Sequence, residues 1–207
     1  MKRIVLLLLG LAWLQGHAQQ AFEGTLFIEV LSADSSEIPK MNFEVKLKGS
    51  MARMNIHSAN IDDYSLIINY GTGESIMLKT HNGEKIAVRG MKTLAEPGSF
   101  STENSKLKKV AGYNCRKGKI TTAAGTSEVY YSTAFNSSAQ FFGAYSSVPG
   151  LILELHLSKE GNEQIVRTKK LSKRNVKDEE FIIPNEYREM NESDYELLLP
   201  LFPELMQ

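Results

Sequence analysis

The chain has 207 residues, 42% of them hydrophobic, and its 24 basic side chains balance 24 acidic ones for a formal net charge of zero. That balance excludes a phosphate-neutralising surface for nucleic acid and a polybasic membrane patch, and the apolar share excludes a disordered chain. The single cysteine, Cys115, excludes an intrachain disulfide framework and is expected to be a buried structural thiol.

Residues 1–18 read as a secretory leader. Met1-Lys2-Arg3 gives a basic start, Ile4 to Leu14 is almost unbroken apolar sequence, and Gly16 and Ala18 supply small residues at cleavage spacing. The apolar run is too short to span a bilayer. Cleavage near Ala18 would leave one domain, residues 19–207, working in the periplasm or secreted, with 191–207 as a C-terminal tail. No cysteine follows the leader, so lipid attachment there is not expected, and no later apolar run suggests a transmembrane anchor.

The rest reads as strands. Phe22 to Leu31 opens the fold. Met41, Phe43, Val45 and Leu47 alternate with Asn42, Glu44, Lys46 and Lys48, the period-two pattern of a half-buried strand. Met51 to His57 follows a Gly49-Ser50 turn, and Tyr64 to Tyr70 is the next run. Ser75 to Thr80 and Glu84 to Met91 flank Asn82-Gly83, a pair suited to a two-residue hairpin. Lys92 to Ser105, with Pro97-Gly98, reads as a loop. Strands resume at Lys106 to Ala111 and Tyr113 to Thr122, and Glu128 to Thr133 answers across Ala123 to Thr126. Ala134 to Val148 suggests a short helix. Leu151, Leu153, Leu155 and Leu157 alternate with Ile152, Glu154 and His156 in the clearest strand of the chain. Gln164 to Ser172 pairs with it across a turn, and Phe181 to Pro184 is expected to close the sheet. In the tail, Asn191 or Ser193 could cap a short helix before Pro200.

Short connections favour an antiparallel meander over parallel crossovers. The expected fold is therefore mainly β (α+β), a strongly curved antiparallel sheet forming an incomplete barrel, with one or two short helices over the open side.

The residues show no catalytic constellation. His57, His81 and His156 lie on separate strands or turns without metal-ligand spacing, and a hydrolase would need two of them to converge. There is no Gly-x-Ser-x-Gly elbow, and Gly71-Thr72-Gly73 lacks the ending of a phosphate loop. Glu23, Asp62, Asp63 and the Asp178-Glu179-Glu180 run are expected to be solvated. Neither enzyme activity nor a cofactor or metal is expected.

The apolar stripes carry more. Phe43, Val45 and Leu47, then Leu66, Ile68 and Tyr70, then Leu151, Leu153, Leu155 and Leu157, read first as the lining of an ordinary core. The sharper alternative is a hollow for an acyl chain, because apolar burial stabilises at about 25 cal/mol per Å² without any polar anchor.

Phe22-Glu23-Gly24-Thr25, Val110 to Lys117, Glu128 to Thr133, Val148-Pro149-Gly150-Leu151 and Phe181 to Pro184, in that order, resemble a family of exported bacterial proteins with a domain of unknown function. That family is similar in fold to the outer-membrane lipoprotein carriers and receptors (LolA- and LolB-like). The resemblance implies an incomplete barrel able to hold a lipid or a lipoprotein acyl chain. It transfers no individual functional residue. The leading expectation is a soluble, non-catalytic carrier or binding module. The alternative is a structural or interaction protein of the cell envelope that contacts an envelope protein through loops or edges.

Overall fold

The computed structural model describes residues 20–32, 41–57, 64–81, 83–90, 97–123, 125–136, 145–159 and 162–198. A two-residue strand, β1 (Gln20–Ala21), precedes the meander. β2 (Gly24–Ser32), β3 (Met41–Lys48), β4 (Met51–His57), β5 (Tyr64–Asn69), β6 (Glu74–His81) and β7 (Glu84–Arg89) pair antiparallel, each with the next. Alternating apolar residues drive this, since one side of each strand must be buried. The β3–β4 turn is two residues long because Gly49 adopts φ 56°, the left-handed backbone such a turn needs.

The second half adds β8 (Ser99–Thr102), β9 (Lys108–Val110), β10 (Tyr113–Thr122), β11 (Gly125–Ser132), β12 (Phe135–Asn136), β13 (Leu151–Lys159), β14 (Asn162–Lys173) and β15 (Arg188–Asn191). Across the main sheet the order is β15-β7-β6-β5-β4-β3-β2-β14-β13-β11-β10-β8, with β9 also on β10. The sheet is not closed: β15 and β8 are its two ends. Pairing is antiparallel except for β15, which runs parallel to β7, while β1 and β12 form a separate parallel pair. β9 lies against β14 although β13, β11 and β10 come between them in the order, so the sheet bends sharply there. The chain is thus mainly β, and its one α-helix among the described residues is α1 (Glu192–Leu198). No helix of the described residues is long and apolar enough to cross a membrane.

Four details depart from the sequence reading. Phe181 to Pro184 does not join the sheet. Residues 174–187 form a strap across one sheet face, with a 3-10 helix at Asp178–Phe181, and β15 takes the edge instead. The strap is held by side chains. Lys46 Nζ donates to Glu180 (2.7 Å), Lys48 Nζ to Asp178 (2.7 Å), and Arg53 Nη1 to the Glu180 carbonyl (3.0 Å). Glu23 accepts from the Val176 amide at 2.8 Å. Asp178, Glu180 and Glu23 are therefore partnered rather than simply solvated. Asp62 and Asp63 lie outside the described residues.

The supposed loop Lys92 to Ser105 contains β8, stapled by Phe100, whose ring rests where a Gly118 side chain would be. Within Ala134 to Val148, Phe135–Asn136 is strand and Tyr145 begins a turn, while 137–144 lie outside the described residues. Asn191 does cap α1, accepting from the Asp194 amide at 2.7 Å.

Candidate functional site

Strand register decides which side chains share a face. Leu171, Leu26, Val45, Met54, Leu66, Met77, Val88 and Met190 stand directly opposite one another in succession across eight strands. This apolar row is the spine of the core face. A second row beside it runs Thr168, Ile28, Phe43, Ile56 and Tyr64.

The stripe residues read from the sequence largely meet on this face. Phe43, Val45, Leu47, Leu151, Leu153, Leu155 and Leu157 belong to one hydrophobic cluster, with Leu66 packed against it. Val45, Leu47, Ile68, Leu151, Leu153 and Leu155 are buried, whereas Phe43, Leu66 and Leu157 are half-buried. Leu66 also touches a smaller cluster of Met77, Ile86 and Val88, which Met190 and Tyr195 flank.

The face is not wholly apolar. Two hydroxyl oxygens on it, Tyr70 Oη and Thr168 Oγ1, are buried without any hydrogen-bond partner. Burial raises the Tyr70 phenol above its ordinary value.

The opposite face carries an in-register row of its own: Lys117, Tyr130, Glu154, Arg167, Glu29, Asn42 and His57. At its centre the Glu154 side chain is completely buried. Its Oε1 accepts from Lys108 Nζ at 2.6 Å and meets His156 Nε2 at 2.5 Å, and Oε2 accepts from Arg167 Nε at 2.8 Å. Burial alone would push this carboxyl up. Bonds from His156, Lys108 and Arg167 outweigh it and hold the group below its usual range. Lys108 also sits 4.4 Å over the Tyr130 ring.

The network continues outward. Tyr130 donates to Glu128 at 2.7 Å, and its phenol is pushed up to about 12 by burial and by that bond. Lys117 joins Glu128 (2.5 Å) to Glu103 (3.3 Å). Cys115 is fully buried, and burial raises its thiol to about 11. Such a thiol is not a nucleophile near neutral pH.

Sequence reasoning missed Glu154. The signal was available: a lone carboxylate inside Leu151-Ile152-Leu153-Glu154-Leu155, where both faces of the strand are apolar and an unpaired charge could not be buried.

The histidines do not converge. His156 is on β13 and His57 on β4, four strand spacings apart, roughly 19 Å along the sheet at about 4.8 Å each. His81 ends β6. Among the described residues no group of three or more His, Cys, Asp or Glu is placed to hold a metal ion.

Two surface grooves are present among the described residues. One of about 240 Å³ is bordered by Phe27, Ile28, Glu29, Phe43, His57 and Lys169, and Phe27 is 38% exposed beside it. The other, about 210 Å³, lies by His156, between Glu128 and Glu163. Both are smaller than typical ligand pockets of about 300–1,000 Å³.

No family model and no curated protein matches the chain. Its fold is similar to that of PNGF-II, seen in C2 and P21 crystal forms. The TM-scores are 0.55 and 0.56, with 16% and 14% identity over 86% of this chain. The chain spans 33% of the length of PNGF-II. At this identity the likeness concerns the fold alone, a mainly β architecture with an unclosed sheet.

Proposed function

We propose that this chain is a non-catalytic binding module of the cell envelope, exported by its leader, that takes a lipid or another ligand with an apolar chain on the core face of its sheet. The observation that carries the reading is the unbroken apolar row across eight strands of an open sheet, in which Leu66 is only half-buried, as are Phe43 and Leu157 of the same hydrophobic cluster. A sheet that does not close can admit a guest along that face, and apolar burial alone would hold it. The same reading accommodates the sequence resemblance to an exported family whose fold is similar to that of the lipoprotein carriers. It also fits the use of the tightly placed charges, since Glu154 and its partners are committed to one another.

Native mass spectrometry of the full chain produced with its leader tests this. The expected spectrum contains a protein–lipid complex of one-to-one stoichiometry. A ligand-free mass, together with no saturable binding of the apolar reporter phenylnaphthylamine, overturns the reading.

A second reading rests on the exposed Phe27 and its groove between Glu29 and Glu44, which suits contact with an envelope protein. Crosslinking in intact cells separates the two: one dominant protein adduct favours the second, lipid adducts the first.

A further inference from the structure

The two ends of the main sheet are guarded differently. β15 carries Arg188 and Glu189, both exposed, which pair back onto Glu84 (3.0 Å) and Arg89 (2.7 Å) of β7. Charges on a rim strand discourage another strand from pairing with it. At the other end β8 reads Ser99-Phe100-Ser101-Thr102, with no charge, proline or bulge, and Ser99, Ser101 and Thr102 are exposed. Among the described residues no strand lies beyond it.

Register fixes which groups on that rim are unpaired. The Glu103 amide donates to the Lys117 carbonyl at 3.0 Å, so Glu103 and Lys117 form a hydrogen-bonded pair. Such pairs alternate along an antiparallel ladder. Ser101 with Lys119 and Ser99 with Thr121 are bonded in the same way, while the amide and carbonyl of Phe100 and of Thr102 point away from β10. Before Phe100 the rim is closed, because the Gly98 carbonyl accepts from Ser147 Oγ at 2.8 Å. The strand itself is firmly held: Phe100 meets the Tyr131 ring edge-on at 5.4 Å, and Thr102 Oγ1 lies 3.2 Å from Tyr131 Oη.

These outward groups match their own copy. Turned about a two-fold axis through Ser101, β8 lies antiparallel to the β8 of a second molecule, with Phe100 opposite Thr102 of the second copy and the reverse. Both residues bond outward, so every amide and carbonyl they present finds a partner with none left over. Ser101 faces Ser101 of the second copy across the axis. The charges permit this. Glu103 stands opposite Ser99 of the second copy and is already committed to Lys119 (2.7 Å) and Lys117 (3.3 Å). The two Lys119 side chains are three strand spacings apart, about 14 Å, beyond the screening distance of about 8 Å at physiological salt.

We infer that β8 is a self-association edge, through which two copies of this chain join their sheets into one across a two-fold axis. The strand is four residues long, so the contact falls at the small, transient end of interfaces and the dimer forms only as concentration rises. The pairing consumes both β8 edges, so it closes at two copies and does not run on into a fibre. It is independent of what the core face binds.

Sedimentation velocity of the full chain produced with its leader, between roughly 1 μM and 1 mM, is expected to show a monomer passing reversibly to a dimer and no larger species. Ser101→Glu sets two carboxylates opposite one another across the axis, yet within the monomer it faces Lys119. It is expected to keep the wild-type melting temperature in dilute solution while moving the dimerisation midpoint up by about tenfold or more. Ser101→Cys gives a second readout. The facing residues form a non-hydrogen-bonded pair with Cα atoms about 4.5 Å apart, within disulfide reach. Cys115 is buried and does not compete. Mild oxidation is expected to link Ser101→Cys into dimers, whereas Ser99→Cys, whose copies stand about 13 Å apart in this register, stays unlinked. Selective linkage at position 101 supports the pairing even where the dimer is too weak to sediment. A chain that is monomeric across the whole range and shows no selective linkage overturns it. So does a dimer indifferent to Ser101→Glu, or linkage equally fast at positions 99 and 101.

Discussion

The two in-register rows use the same backbone to opposite ends. On the core face, Leu171 through Met190 is continuous hydrocarbon and thioether, and its contribution comes from area removed from water. On the other face, Lys117 through His57 alternates charge and polarity, and its centre is a buried carboxylate that depends on two cations, Lys108 and Arg167, and on the His156 ring. The apolar row tolerates exchange of one hydrophobe for another. The polar row is all-or-none around Glu154, because losing that acid leaves three donors facing an emptied site.

Substitutions can break this contrast in graded fashion. Leu26→Ala, at a fully buried position of the apolar row, should cost the most, about 3–4 kcal/mol in denaturant unfolding. Glu154→Ala should cost about 2 kcal/mol. That is less than for a fully enclosed pair, because Lys108, His156 and Arg167 are each about a third exposed and can recover solvent. Combining it with Lys108→Met should return part of the loss, and an additive loss instead would mean that the two groups are not coupled.

Acid sharpens the same comparison. The folded Glu154 carboxyl titrates below the unfolded one. As pH falls past the ordinary carboxylate value of about 4.3, the unfolded chain takes up its proton first and stability drops. Denaturant curves between roughly pH 6 and pH 3 should therefore fall less steeply for Glu154→Gln than for wild type. The smallest effect belongs to the strap: Asp178 is 81% exposed, so Asp178→Asn should change stability by less than about 0.5 kcal/mol.

Much of the apolar row was legible. Period-two alternation in Met41 to Leu47, and the apolar Leu66 and Ile68 of the next run but one, mark the core face of their strands, and the glycine turns set the meander. Register was not legible, and the polar row exists only through register: its seven residues come from seven strands, and no short window contains two of them. β8 escaped notice because its one large apolar residue, Phe100, gains its anchorage from a glycine eighteen positions later. Phe181 to Pro184 looked like a strand because its residues are apolar. Phe181 and Ile183 instead pack onto Ile67, Leu78 and Ala87 from outside the sheet. The two orphan hydroxyls could not be read at all, since threonine and tyrosine are ordinary strand residues and only the surroundings make them unusual.

The strap has a consequence for the order of assembly. It leads from a middle strand to the far rim, where β15 lies along β7. The rim that residues 84–89 form is thus sheathed by residues 188–191, about a hundred positions later in the chain. During synthesis the early meander must wait, with a raw edge exposed, until residues 188–191 are available. A chaperone that shields bare strands would serve this protein at that stage, and truncation upstream of β15 would leave a rim inviting other chains to pair with it.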